Sequence, residues 1–102
     1  IEVPRTICDG QQTQSVGRMP FEVIRTQVTD ILTVPDPVVV EAMRFAFERM
    51  KLVLEPSGAC ALAALMHHRE RFAGRRVGIT LSGGNIGIER FVALMTGAER
   101  VD

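Results

Sequence analysis

A run of apolar and β-branched residues, 77–81, leads straight into Ser82-Gly83-Gly84-Asn85 and then into a helical pattern over 86–95. A strand that turns into a helix through glycines is typical of α/β folds, in which ligands bind at the carboxyl ends of the strands. Glycine lets the backbone approach a ligand closely, and a helix N-terminus offers free N–H groups. The stretch therefore predicts either a ligand site or a plain turn in which Ser82 or Asn85 caps the helix.

The rest of the chain repeats the alternation of short strands and helices. Helical patterns show apolar residues three and four apart on one face: Phe21, Ile24 and Val28 in one helix, and Val39, Met43, Ala46 and Met50 in the next. The strand segments are short and bounded by glycine or proline. This order predicts an α/β fold with a small, mainly parallel sheet and flanking helices. A length of 102 residues suits one domain, 1–102. The predicted strands are 6–10, 31–34 and 77–81, and the predicted helices are 21–28, 37–50 with Asp36 as its N-cap, 58–72 and 86–95.

Charge and hydropathy exclude several classes of partner. Twelve basic and twelve acidic residues give a formal net charge of zero, which argues against nucleic acid as the main partner. The longest unbroken apolar run, Ala59–Met66, is far shorter than the roughly 20 residues of a bilayer span. Because no secretion signal opens the chain either, we expect a cytoplasmic protein.

Residue types that often carry chemistry occur without supporting partners. Cys8 and Cys60 lie far apart, in no metal or redox spacing, and are expected to be buried thiols. His67 and His68 are adjacent on a helix, so they point about 100° apart and predict no metal site. Lys51, the single lysine, follows a helix end and is expected to be a solvated amine. The sequence thus predicts neither a catalytic residue nor a metal ligand.

Glu55 precedes an apolar helix that begins near Ser57 and Gly58. A carboxylate at that place must be paired, solvated or protonated. Ser57 could cap the helix but has no base near it in sequence, so a serine nucleophile is not indicated.

Three stretches, together with the segment Phe21–Val34, resemble a known family. The three stretches are Thr6–Gly10, Glu48–Ala59 and Leu81–Asn85, which follow the family patterns T-I-A-D-G, E-R-x-K-L-x-x-E-P-x-G-A and L-S-G-G-N. The chain is similar, over nearly its whole length, to the C-terminal part of the catalytic region of threonine dehydratases and serine racemases. These are pyridoxal-phosphate (PLP) enzymes of fold type II, so the resemblance implies part of their large domain. Cys8 departs from the pattern, because alanine is usual there.

The resemblance implies cofactor-binding roles for residues in all three stretches. Ser82 matches the serine that hydrogen-bonds the pyridine nitrogen of PLP. A hydroxyl there leaves the nitrogen largely neutral, which favours β-elimination over transamination. Glu55 resembles the family's acid near the cofactor. The full set of residues implied to bind PLP is Ser82, Gly83, Gly84, Asn85, Glu55 and Gly10.

The family also uses features that lie upstream of the matching region. These are the Schiff-base lysine, a phosphate-holding run of glycines and acids that bind a divalent cation. Together with a first residue that is Ile1, this predicts a fragment, about a third of a PLP-dependent hydroxy-amino-acid dehydratase, inactive alone. We expect a small amino-acid substrate, and either a homo-oligomer or association with the missing part of the chain.

Three alternatives stay open from the sequence. The enzyme could be a racemase rather than a dehydratase. The chain could be a non-catalytic α/β module that binds a phosphate or nucleotide at 82–85, or a plain interaction domain with an uncovered apolar face.

Overall fold

A computed structural model describes residues 2–101 of the chain, and the secondary structure within that range is helical. Two short 3-10 turns accompany the helices and are called turn A (Asp9–Gln11) and turn B (Ser57–Ala59). The helices are α1 (Arg18–Gln27), α2 (Asp36–Phe45), which continues as a π-helical segment (Ala46–Met50), α3 (Cys60–His67), α4 (Arg69–Phe72) and α5 (Ile88–Thr96).

The core forms where α2 packs against α3 and α5. Val39 and Met43 of α2 are buried almost completely, since three- and four-residue spacing places them on one face. Ala42 and Ala46 are fully buried as well, and so is Ala63 of α3. Helix α2 and its π-helical continuation therefore approach α3 closely through small side chains. Ile7, Cys8, Leu54, Ala59, Leu62, Phe91 and Leu94 complete the buried cluster.

The helices predicted from the sequence are present, with shifted bounds. The predicted helix 58–72 is divided: turn B precedes α3, and His68 separates α3 from α4. The helix predicted from residue 86 begins at Ile88, after Gly87. Asp36 was expected to cap α2 but is its first residue.

Asp36 instead joins the N-terminal segment to α2. Its carboxylate accepts hydrogen bonds from Thr6 Oγ1 at 2.5 Å and from the backbone N–H of Ile7 at 3.0 Å. These bonds fix the segment that leads through Cys8 into turn A.

The small parallel sheet predicted from the sequence is not present in residues 2–101. Segments 6–10, 31–34 and 77–81 form no strand there. A strand exists only through hydrogen bonds to a neighbouring strand, and these segments do not pair with one another. Segments 31–34 and 77–81 leave apolar side chains in solvent: Ile31 is 73% exposed, and Val77 and Ile79 are 38% and 37% exposed.

Helix α1 lies apart from the core. None of its residues is buried, although Phe21 and Ile24 share the apolar face that the sequence predicted. Among residues 2–101, every helix is too short or too polar to cross a lipid bilayer.

Candidate functional site

Two stretches of backbone meet at glycines. A Cβ atom placed on Gly58 would lie 2.2 Å from the carbonyl oxygen of Gly83, and one on Gly84 would lie 2.3 Å from the carbonyl oxygen of Val53. Any side chain at these positions would collide with main chain, so only glycine permits this approach. We call this pair of approaches the glycine contact. It holds the turn at 82–85 against the segment that precedes α3.

Glu55 strengthens the same contact from its own backbone and side chain. Its N–H donates to the carbonyl oxygen of Gly83 at 3.2 Å. Its Oε1 accepts a long hydrogen bond, 3.4 Å, from the backbone N–H of Asn85 and lies 3.1 Å from the Cβ position of Gly83. The carboxylate, half-buried, is thus partnered by the turn it faces.

Turn A packs onto turn B next to the glycine contact. A Cβ on Gly10 would lie 2.9 Å from Ser57 Oγ, and Gln11 Nε2 donates to the carbonyl oxygen of Ser57 at 3.5 Å. Ser57 Oγ is buried and has no hydrogen-bond partner among residues 2–101. A buried hydroxyl without a partner loses free energy, so it is available to a ligand. The predicted role of Ser57 as a helix cap is wrong, since it makes no cap hydrogen bond.

Ser82 lies at the start of the glycine turn with its side chain exposed. Within residues 2–101 its hydroxyl makes no hydrogen bond, so it is free to donate to or accept from a bound molecule. Asn85 is exposed at the other end of the turn. Because α5 begins only at Ile88, its first N–H groups are not presented by residues 83–85, contrary to the sequence expectation.

The structure therefore brings the six predicted cofactor-binding residues into one neighbourhood. Gly10 lies against turn B, which touches Gly83, and Glu55 spans Gly83 and Asn85. The sequence gave no sign that the Ser57 hydroxyl is buried without a partner, because its burial depends on turn A, which is distant in sequence. Lys51 is not part of this neighbourhood: its Nζ donates to the carbonyl oxygen of Glu48 at an exposed helix end.

Two further observations concern metals and thiols. No cluster of three or more His, Cys, Asp or Glu side chains in residues 2–101 could hold a metal ion. Cys8 and Cys60, which the sequence gave no reason to associate, lie with their Sγ atoms 3.3 Å apart. Cys8 is buried, and Cys60 is half-buried at the first residue of α3.

The candidate site is therefore a glycine-lined turn with a free serine hydroxyl and an adjoining carboxylate. Residues 1–83 match the family of pyridoxal-phosphate dependent enzymes, and the chain belongs to that family.

Relatives and solved structures agree with this assignment. The chain is 50% identical over 97 residues to L-threo-3-hydroxyaspartate ammonia-lyase of Pseudomonas sp, which covers 95% of this chain and 30% of that protein. It is 42% identical to serine racemase of Schizosaccharomyces pombe, over 94% of this chain and 30% of that protein. The structure of maize serine racemase superposes with a TM-score of 0.80 at 30% identity, over 96% of this chain and 31% of that one. The chain spans about 30% of the length of the curated relatives it matches.

The residues present fit one side of the PLP coenzyme. The glycine contact fills the Cβ positions of Gly58 and Gly84 with main chain, so the fit depends on the hydroxyl groups that surround the contact. Ser82 offers a free hydroxyl, and Ser57 offers a buried one that lacks a partner. The matched family supplies PLP as the cofactor.

Proposed function

We propose that this chain forms the pyridine-nitrogen side of the active site in a PLP-dependent dehydratase that deaminates a hydroxy amino acid. In the proposal, residues 1–102 are the C-terminal portion of the catalytic domain, and the substrate is a small amino acid. The observation that carries the proposal is the glycine contact, because it holds the turn that carries Ser82 against the segment that carries Glu55.

Ser82 is proposed to hydrogen-bond the ring nitrogen of PLP. When bound, the coenzyme supplies an electron sink for bond cleavage at the amino acid's α-carbon. A hydroxyl is too weak an acid to protonate that nitrogen, so Ser82 orients the ring without placing a full charge on it. Gly83 and Gly84 would hold the turn that carries Ser82 close to the segment before turn B, and Gly10, packed against Ser57, would form part of the wall of the same site.

Glu55 is proposed to keep the turn in place. Its hydrogen bonds to the backbone of Gly83 and Asn85 connect the strand-like segment before turn B with the segment that carries Ser82. Loss of either bond would free the turn and move the hydroxyl. Asn85 lies at the solvent-exposed edge of the proposed site.

The proposal also concerns the small parallel sheet that the sequence predicts and that residues 2–101 do not form. Segments 31–34 and 77–81 have no regular secondary structure and leave apolar side chains exposed. We propose that they become strands of a parallel sheet by pairing with other parts of the enzyme, which the relatives' greater length allows. On this view the chain does not catalyse alone and associates with the rest of the polypeptide, or with a second copy, in the cytoplasm.

A nucleotide- or phosphate-binding module is less well supported. Such sites use N–H groups of a helix N-terminus, and here α5 starts beyond the glycine turn. Racemase activity is the second candidate for the enzyme, since serine racemases are among the relatives.

The test uses the full-length protein that contains this segment, loaded with PLP. Ser82→Ala is compared with Ser15→Ala, an exposed loop serine outside the site. We expect S82A to weaken PLP retention and to lower ammonia release from L-threo-3-hydroxyaspartate, L-serine or L-threonine by at least tenfold, with S15A unchanged. Equal behaviour of the two variants would refute the role of Ser82.

The same assay separates the two candidate reactions. Formation of ammonia and a keto acid supports the dehydratase, whereas inversion of the substrate without ammonia supports the racemase. If PLP does not bind to the wild-type protein at all, the proposed function fails as a whole.

A further inference from the structure

The two cysteines form a pair beside the coenzyme side of the structure. Cys8 Sγ and Cys60 Sγ are 3.3 Å apart, which is hydrogen-bond distance for thiols and only about 1.3 Å longer than a disulfide bond. Cys8 is 4% exposed, and Cys60 is half-buried. Neither thiol belongs to the proposed site, and the matching family pattern has alanine where Cys8 stands.

The position of the pair connects two parts of the site. Cys8 immediately precedes turn A, which carries Gly10, and Cys60 immediately follows turn B, which carries Ser57 and Gly58. Gly58 in turn touches Gly83 through the glycine contact. A covalent bond between the cysteines would therefore tie together the two turns that border the site.

From this arrangement we propose that Cys8 and Cys60 are a reversible oxidation site, which a hydroperoxide converts to an intramolecular disulfide that locks turn A onto turn B. The inference concerns thiol chemistry and does not depend on the proposed dehydratase activity.

The two thiols have different environments. Cys60 is the first residue of α3, where the helix dipole favours a negative charge. The hydrogen bond from Cys8 lowers the pKa of Cys60 to about 7, although burial and the nearby Asp36 carboxylate oppose the shift. The pKa of Cys8 is raised by its hydrogen bond to Cys60 and by burial. Cys60 is therefore the attacking thiolate and Cys8 the thiol that resolves it.

The other groups near the two sulfur atoms do not change which thiol attacks first. The Oγ1 atom of Thr6 accepts from the Cys8 backbone N–H at 3.2 Å, and Gln11 lies near Cys60 and lowers its pKa. Cys60 Sγ also donates to the carbonyl oxygen of Pro56 at 3.5 Å when protonated. Asp36 is the charged group facing both sulfurs.

The chemistry balances in two steps. The Cys60 thiolate attacks one oxygen of the hydroperoxide, the O–O bond breaks, and an alcohol (water, for hydrogen peroxide) leaves with a proton as Cys60 becomes a sulfenic acid. Cys8 then attacks that sulfur and gives up its proton, the S–O bond breaks, and water leaves as the S–S bond forms. Two thiols lose two electrons, which the peroxide takes up.

The experiment treats the reduced protein with hydrogen peroxide, denatures it and labels remaining thiols with N-ethylmaleimide before intact-mass measurement. We expect a monomer that has lost two hydrogen atoms and in which Cys8 and Cys60 carry no label, and both residues should take up label after dithiothreitol. Proteolysis should release the peptide that contains Cys8 joined to the peptide that contains Cys60 by a reducible bond. This measurement uses the wild-type protein and needs no variant.

The variants Cys8→Ala and Cys60→Ala test the order of attack. C8A keeps the attacking cysteine, so it should still form a sulfenic acid that dimedone traps, but more slowly than the wild type near pH 7, because the Cys8 hydrogen bond no longer lowers the pKa of Cys60. C60A should react with peroxide about tenfold more slowly, because Cys8 is buried and protonated.

The proposal is overturned by any of three results: two labels remaining on the peroxide-treated wild type, oxygen added without a joined peptide, or a disulfide found only between two chains. Because these readouts do not involve PLP, failure of the dehydratase assay would leave the result standing, and the reverse also holds.

Discussion

The Cβ position of Gly58 lies 2.2 Å from the carbonyl oxygen of Gly83, so the backbone of turn B touches the backbone of the turn that carries Ser82. Real Cβ atoms do not occur at this distance from an oxygen. The two segments are far apart in the chain, and this approach is what brings Glu55 and Ser82 to the same surface. The glycine at position 58 is therefore a requirement of the site and not only of the local turn.

We expect Gly58→Ala to lower the free energy of unfolding by about 2–3 kcal/mol, because the added methyl group collides with fixed main chain. The measurement is urea unfolding followed by circular dichroism. The matched control is Gly78→Ala, at a position where a Cβ meets nothing within 4 Å. G78A should leave stability unchanged or raise it by up to about 1 kcal/mol. If G58A and G78A behave alike, the glycine contact does not constrain the fold.

Lys51 adopts a left-handed conformation with φ 59°, alone among the non-glycine residues of 2–101. It ends the π-helical segment, where glycine is the preferred residue. We expect Lys51→Gly to be more stable than Lys51→Ala by about 1 kcal/mol, since the left-handed region costs a Cβ-bearing residue that much. Both variants lack the lysine amine, so the difference between their urea-unfolding midpoints reports the cost of the left-handed backbone at position 51. Equal midpoints would contradict the assignment of strain to this position.

Met43 and Met19 form a matched pair for the core. Met43 is fully buried in α2, whereas Met19 in α1 is 80% exposed. We expect Met43→Ala to cost about 3 kcal/mol, from lost burial and the cavity left behind. Met19→Ala should change stability by less than about 0.5 kcal/mol. Thermal unfolding of both variants checks the prediction, and a large effect of M19A would mean that α1 is covered by other protein in solution.

The sequence predicted the helices because helix formation depends on spacing within a few residues. Val39, Met43 and Ala46 were placed on one face and are buried. Met50, predicted on the same face, is 43% exposed because the π-helical segment widens the turn and rotates later residues away. A local pattern does not encode that insertion.

The glycine turn was also accessible to prediction, since two glycines after an apolar run indicate close backbone approach. What they approach was not, because Gly83 meets Gly58 only through the packing of α3 against α2. The Cys8–Cys60 pair was missed for the same reason: it depends on the Asp36 hydrogen bonds that position the N-terminal segment. Strand pairing depends still more on distant partners, and residues 2–101 do not supply them.

The ionisation of Cys60 gives a final prediction. Because its pKa is lowered from the ordinary 9.0 to about 7, chiefly by the Cys8 hydrogen bond, its iodoacetamide alkylation rate should rise with a midpoint near pH 7. A thiol pKa that is lower in the folded state contributes stability that is present above pH 9 and lost as the pH falls through about 7. Unfolding free energy should therefore increase between pH 7 and 9 in the reduced protein. Cys8→Ala removes the donor, so the alkylation midpoint should move upward toward 9. An unshifted midpoint in C8A would show that the helix terminus, and not the neighbouring thiol, sets the reactivity of Cys60.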